Sequence, residues 1–253
     1  MIDGQKLLDG DGREVALFPI DEIYITQGEY GSISHDLAMD FVGWSNQTGQ
    51  IPHYPYYAPV SMKLVAKNYS GGQAYMVWES LNEVHFADNT IDFMSMVFMH
   101  DDNPLFNVGD TVSQGDLIGR SGSSGFATGD HIHLNVAQGK YVGWSPTTHG
   151  GFSELTNSIH IYNALFVNDT TLYNDYGYPW KTYDGPTPPP PTEEKKKKYP
   201  WFIQISKRRL RNFYNLTLAY YVKLLYNIFR NEVMNIDEGR TQKIDRSYCC
   251  NFR

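Results

Sequence analysis

Two histidines one residue apart, His131 and His133, stand in the stretch Thr128-Gly-Asp-His-Ile-His-Leu-Asn-Val136. In a strand, alternate side chains share a face, so both imidazoles point one way while Ile132 and Leu134 point into a core. At a rise of about 3.3 Å per residue the rings stand about 6 to 7 Å apart, and two imidazoles so placed can bind a metal and still leave room for a reactive group. Two exposed strand histidines are the plainer alternative. A second pair, His35 and Asp40, lies in Ser34-His-Asp-Leu-Ala-Met-Asp-Phe41. Zinc sites in enzymes commonly take three protein ligands and keep a fourth position for water. His35, Asp40 and one histidine of the 131/133 pair make such a set, whereas the plainer alternative is a polar turn before a strand. Asp36 is also a carboxylate, but it adjoins His35, where simultaneous ligation is awkward, and Asp40 is preferred. The third element is His100, which ends the apolar run Met94-Ser-Met-Val-Phe-Met99 just before Asp101-Asp-Asn103. A strand end at a cleft holds a catalytic side chain well, although a histidine there also serves simply to end the strand.

Placing these groups requires short strands and tight turns, and the composition supplies them. The chain has 253 residues, 19 of them Tyr, with 22 Gly and 13 Pro. Apolar content of 41% against 19% charged is that of a folded core. Strands are expected at 15–19, 60–67, 74–80, 83–86, 91–98, 117–120 and 131–137, with 165–173 extended as well, and Gly, Asp and Pro clusters mark the turns between them. The Gly-rich segment 122–129 lets the chain bend tightly into the His131–His133 strand. No stretch before residue 183 has long helical periodicity, so an antiparallel, mainly β domain is expected over 1–183.

The formal charge of −7 hides an asymmetry: residues 1–183 carry −14 and residues 184–253 carry +7. The acidic part repels nucleic acid, and no nucleic-acid partner is expected. Residues 184–198, with the run Pro188–Pro191 and four consecutive lysines, read as a stiff extended linker followed by a solvated charge run. Beyond it, 199–253 reads as a basic helical tail: Ile205, Leu210, Phe213, Leu216, Tyr220, Leu224 and Ile228 recur at mostly helical spacing. Such a helix suits a partner or an anionic surface, or is an ordinary packed tail. Its longest uncharged run, 212–222, is too short to span a bilayer, so no transmembrane segment is expected. The N-terminal residues lack the apolar core of a classical signal peptide. The two cysteines, Cys249 and Cys250, are adjacent and rarely bridge each other without strain.

The order His35…Asp40, His100, His131-x-His133 resembles the lysostaphin-like zinc peptidases of the LytM type. Further matching stretches are Ala58-Pro-Val-Ser-Met-Lys-Leu-Val65, a hairpin-like segment from Asn107 to Gly125, and the turn Gly125-Phe-Ala-Thr-Gly129 leading into the H-x-H strand. The resemblance implies an antiparallel duplicated-hybrid-motif β fold with a groove. It implies one Zn2+ ion held by His35, Asp40 and His133, with His100 and His131 as catalytic histidines. It also implies a zinc-dependent endopeptidase that hydrolyses peptide crosslinks of bacterial peptidoglycan, similar to phage tail-associated members. Such a protein is phage or prophage encoded, virion-associated or extracellular at the cell wall, with phage tail proteins as partners of the C-terminal tail. Three departures stand out. The family usually spaces its first His and Asp by four residues, and here the gap is five, with Met39 at the usual position. Asn135 stands where the family often has Glu, and Leu134 where it has an aromatic. The alternatives are a non-catalytic cell-wall-binding or tail-tip module, and a regulator of another hydrolase, although such regulators usually lack the metal ligands. The 108–119 hairpin also looks like that of a lipoyl domain, but Ser113-Gln114 stand where the modified Lys would be. The aromatics Trp44, Tyr54, Tyr56, Tyr57, Tyr141 and Trp144 are candidates to line a groove for sugar or peptide.

Overall fold

The structure, a computed structural model, describes residues 1–31, 34–148 and 152–185. The linker expected over 184–198, apart from its first two residues, and the helical tail expected over 199–253 lie outside the described residues. In chain order the first strands are β1 (Glu22–Gln27), β2 (Met39–Ser45), β3 (Gly49–Ile51), β4 (Pro55–Tyr57), β5 (Met62–Asn68) and β6 (Tyr75–Ser80). Then come β7 (Val84–His85), β8 (Ile91–Asp92), β9 (Met94–Met99), β10 (Thr111–Val112), β11 (Leu117–Arg120) and β12 (Ile132–Gln138). The pair β13 (Trp144–Pro146) and β14 (Ser153–Leu155), then β15 (Ser158–Ile159), the one-turn helix α1 (Ile161–Ala164) and β16 (Thr171–Asn174) complete the described part. One large sheet dominates, in the order β10-β5-β6-β9-β12-β2-β1-β16, with β15 added to β12 and β3 to β2. Its pairings are antiparallel except for β1 with β16, which run parallel. The mainly β, antiparallel-rich architecture is the one expected.

Period-two alternation decides which side chains reach the site. On β12, Ile132, Leu134 and Val136 join the main core, and His133, Asn135 and Ala137 occupy the other face. On β9, Met94, Met96 and Phe98 point into the same core, leaving Ser95, Val97 and Met99 opposite. The core is therefore a single layer of Met, Phe, Ile and Trp side chains under one face of the sheet, with Trp78, Phe18 and Phe41 fully buried. Over the other face lies a smaller cluster, Val77, Val97, Ala137 and Leu155, with Tyr75, Met99, Tyr141 and Trp144 packed against it. That smaller cluster underlies the site described below.

Several local expectations require correction. The apolar run 15–19 is buried but forms no strand; it makes only the isolated bridges Val15 to His85 and Leu17 to Phe166. Its backbone bonds are shared among different segments: Ala16 N–H donates to His85, Leu17 N–H to Pro59 and Phe18 N–H to Phe166. The run 91–98 is two strands, because Ile91–Asp92 pairs with β7 whereas Met94–Met99 pairs with β6 and β12. Within 165–173 only the last residues are strand, and they extend β1 in parallel. The 107–125 segment turns tightly at Ser113–Asp116, yet its two arms do not pair with each other: β10 joins β5, and β11 joins β4.

Phe98 has no exposed surface, stacks on Tyr56 at 4.8 Å between ring centroids and lies at the centre of the sheet. Phe98→Ala should cost about 3–5 kcal/mol in urea unfolding. A loss under about 1 kcal/mol would contradict its central packing.

Candidate metal centre

The pairing of β12 with β2 sets His133 directly opposite Asp40, with Leu134 opposite Met39 and Ile132 opposite Phe41. Directly opposed residues share a face, so His133 and Asp40 meet on the outer face while Leu134, Met39, Ile132 and Phe41 are buried beneath. His133 Nδ1 lies 3.0 Å from Asp40 Oδ1. His35 approaches from the turn before β2, its Nε2 3.4 Å from the same oxygen. One donor atom from each of His35, Asp40 and His133 lies within 4.8 Å of the other two.

His100 and His131 stand beside this group. His131 precedes β12 on the face of His133, and its Nε2 is 3.8 Å from Asp40 Oδ1. The His100 and His131 rings are 4.4 Å apart between centroids. They are brought together by Gly122, whose N–H and C=O pair with the backbone of His131. A Cβ at 122 would collide with the His100 carbonyl oxygen and fall 2.6 Å from the Asp102 nitrogen, so only glycine permits this approach. His100 Nδ1 lies 2.8 Å from the Ser124 carbonyl, and His131 Nδ1 2.8 Å from that of Gly129. A carbonyl only accepts, so in both rings Nδ1 carries a proton, and in the neutral form Nε2 keeps a lone pair. His100 itself adopts a left-handed backbone, φ 75°, at the end of β9. Thus all five residues singled out in the sequence come together, although they span nearly a hundred positions of chain.

Burial shapes the charge state of the group. Burial, then the neighbouring His133, pushes the His35 imidazole down to about 4. Burial likewise lowers His100 to about 4, against the opposing pull of its bond to Ser124. For Asp40, burial alone would favour the neutral acid, but the hydrogen bond from His133 and the surrounding imidazoles hold its carboxyl below the usual range. A neutral His35 beside an ionised Asp40 offers a lone pair and a negative charge, which is what a divalent cation requires.

The five side chains line a cleft of about 540 Å3 whose walls include Tyr75, Phe126, Trp144 and Phe152. Of the aromatics expected to line a groove, only Trp144 does so. Tyr56 is buried against Phe98, Tyr54 packs on the core and bonds Asp21, and Trp44 lies on Tyr24. Tyr57 packs beside Val15 and Leu17, and Tyr141 leans on Trp144. Phe126, 79% exposed, sits on a turn where composition alone does not mark it. In a second cluster, His53, Asp102 and Asp130, the first two are exposed and Asp130 is half-buried. Its carboxylates already accept from Ser121, Ser123, Ser124 and the His53 N–H, so it braces the loops behind His100 and His131.

One residue of consequence has no signal of its own in the sequence. Glu154 on β14 is buried and accepts from the backbone N–H groups of Asp36, Leu37 and Ala38, the residues between His35 and Asp40. The indirect signal was Asn135, an amide where the resembling family has a carboxylate: Asn135 Nδ2 is 3.4 Å from Glu154 Oε2.

The depressed pKa values have a definite sign. In the metal-free protein the unfolded chain takes up protons at His35 and His100 before the folded one does. These two residues therefore destabilise the fold as pH falls from about 6.5 towards 4, and leave it unaffected above that window. NMR titration of the metal-free protein should give ring midpoints near 4 for His35 and His100. Midpoints near the ordinary value of about 6.5 would contradict their burial.

Comparison with known proteins places this geometry. Residues 52–144 match Peptidase family M23. His100, His131 and His133 fall inside that stretch, and His35 and Asp40 precede it. Morphogenesis protein 1 of Bacillus phage B103 is 43% identical over 185 residues, which cover 71% of this chain and 48% of that protein. The chain thus spans about half the length of this relative. Among solved structures, the catalytic domain of lysostaphin from Staphylococcus simulans is 21% identical, with TM-score 0.35, over 53% of this chain and 84% of that one. A zinc-containing peptidase from Vibrio cholerae is 22% identical, with TM-score 0.36, over 52% of this chain and 42% of that one. The chain thus carries a stretch, residues 52–144, that matches Peptidase family M23 and holds three of the five residues gathered at the site.

Proposed function

We propose that this domain is a zinc-dependent endopeptidase that hydrolyses peptide crosslinks of bacterial peptidoglycan, on a phage- or prophage-encoded, virion-associated protein. The observation that carries this reading is the convergence of His35, Asp40 and His133 at the floor of a cleft edged by His100 and His131. The family match supports a peptidase, and the relative named a morphogenesis protein of a Bacillus phage supports the virion. The basic segment beyond residue 199 is proposed to contact other virion proteins.

The donor set suits one zinc ion. Two imidazole nitrogens and a carboxylate oxygen are a common catalytic zinc set. Two atoms each about 2.1 Å from a tetrahedral ion lie about 3.4 Å apart, and the His133–Asp40 and His35–Asp40 separations of 3.0 and 3.4 Å are of that size. When bound, zinc supplies Lewis acidity, lowering the pKa of water and polarising a peptide carbonyl.

The chain's own residues supply the rest. His35, Asp40 and His133 hold the centre and leave the cleft side open. His100 and His131, fixed through Nδ1 by backbone carbonyls, both turn a free Nε2 lone pair towards the cleft. A neutral Nε2 takes the proton released by the attacking water, and a protonated one donates to the oxygen on which negative charge develops or to the leaving amine. Holding both rings from behind removes their rotational freedom before the substrate arrives. The aromatic walls exclude water from an extended peptide laid across the floor.

Metal analysis of the purified protein should find close to one zinc per chain, and a strong chelator should abolish release of fragments from purified peptidoglycan. His133→Ala should lose both zinc and lysis. His131→Ala should retain zinc and lose lysis by about 100-fold or more. Lysis that survives both the chelator and His131→Ala overturns the mechanism; wall binding without zinc or lysis favours the non-catalytic module. Digesting walls of several crosslink types and weighing the fragments identifies the bond cut.

The register gives an independent check. Asp40→Ala should abolish zinc uptake. Met39→Ala, one residue away but facing the core, should keep zinc and lose about 2–5 kcal/mol of stability in urea. The reverse outcome would mean that β2 pairs one residue out of step with the described register.

A further inference from the structure

Building on the metal reading above, we propose that Glu154 is the positioning residue of the centre, the buried carboxylate around which the turn from His35 to Asp40 is folded. His35 and Asp40 are five residues apart. In an unbroken strand an odd separation sends two side chains to opposite faces, so these two cannot meet unless the intervening backbone reverses that parity. The reversal occurs at Asp36, Leu37 and Ala38. Three consecutive backbone N–H groups there point to one side, an arrangement that a strand, whose N–H groups alternate, does not produce and that forms a small concave anion site.

Glu154 fills that site. Its Oε1 accepts from Asp36 N at 2.7 Å, Leu37 N at 3.0 Å and Ala38 N at 3.0 Å, and its Oε2 lies 3.0 Å from Leu37 N. The residue is 6% exposed, so these bonds are sheltered from water and charge-assisted. Without the carboxylate three N–H groups, that of Ala38 buried and those of Asp36 and Leu37 half-buried, would lose their acceptor, and the turn would have to rearrange to satisfy them.

The other side of the centre is tied to the same residue. Asn135, fully buried and two positions after His133 on the same face of β12, extends Nδ2 to Glu154 Oε2 at 3.4 Å. Its Oδ1 accepts from Leu155 N at 2.9 Å and from Ser158 Oγ at 2.8 Å, which anchors β14 to the strand that carries His133. One carboxylate thus joins the turn bearing His35 and Asp40 to the strand bearing His133. Glu154 does not reach the cleft, so it acts through the ligands' positions and not on substrate.

The test compares the full-length protein with Glu154→Gln, Glu154→Asp and Val60→Ala; Val60 is a buried core residue that does not line the cleft. Glutamine keeps the size but removes the charge and turns an N–H2 towards donors. Zinc affinity, measured by competition with a chromophoric chelator, should fall about 10- to 100-fold in Glu154→Gln. The visible spectrum of its cobalt-substituted form should lose the wild-type band shape. Glu154→Asp, which keeps the charge, should retain more affinity than Glu154→Gln, and it serves as the test if Glu154→Gln does not fold. Val60→Ala should lose stability with zinc affinity unchanged. In metal-free Glu154→Gln, amide exchange at Asp36, Leu37 and Ala38 should be more than about tenfold faster than in wild type. Wild-type zinc affinity and cobalt spectrum in Glu154→Gln, or an equal loss of affinity in Val60→Ala, overturns the positioning role alone. A wild-type protein that takes up no zinc overturns the metal reading together with this inference.

Discussion

The antiparallel register between Met39–Ser45 and Ile132–Gln138 is the constraint on which the site depends. It sets the Asp40 carboxylate across from the His133 imidazole and, in the same stroke, buries Met39 and Leu134. A slip of one residue would exchange every inward and outward side chain of the strand, exposing Met39 and Phe41 and burying a carboxylate. The apolar core therefore enforces the polar contact above it. Hydrophobic burial supplies the energy, and the proposed metal centre inherits the geometry at little cost of its own.

A second layer of organisation lies behind the reactive atoms. Backbone carbonyls of Ser124 and Gly129 hold His100 and His131, the bare backbone of Gly122 lets their segments touch, and Asp102 and Asp130 tie the surrounding loops. These contacts are with main chain or with small polar side chains. They fix tautomers and ring directions without placing another charge in the cleft, which leaves Asp40 as the anion among the imidazoles that face it.

The H-x-H strand was legible because period-two alternation is local: Ile132 and Leu134 announce the buried face, and the histidines must lie on the other. The end of the apolar strand at His100 was legible for the same reason. The strand carrying Asp40 was not, since Val42 and Trp44, which follow on the Asp40 face, are apolar as well, and alternation is weak. The 15–19 run read as a strand because it is a short, uninterrupted apolar stretch, but its neighbours are separate segments, and no ladder forms. The aromatic residues misled in the same way: Tyr and Trp look alike in a sequence whether they fill a core, as Tyr56 does, or face a cleft, as Trp144 does.

The residue order carried the available chemistry: two imidazoles on one strand face, a third at a strand end, a fourth with a carboxylate nearby, and a β-rich chain to hold them. By resemblance it also pointed to the kind of domain that uses such residues. The folded arrangement of segments was needed to see that Asp40 and not Met39 faces His133, that the cleft is walled by Phe126 and Phe152, and that Glu154 accepts from the turn between His35 and Asp40. The reason is the range of the interactions. Alternation and turn chemistry act over a few residues and are written locally, whereas strand register and a carboxylate bonding backbone more than a hundred positions away depend on which segments the core brings side by side.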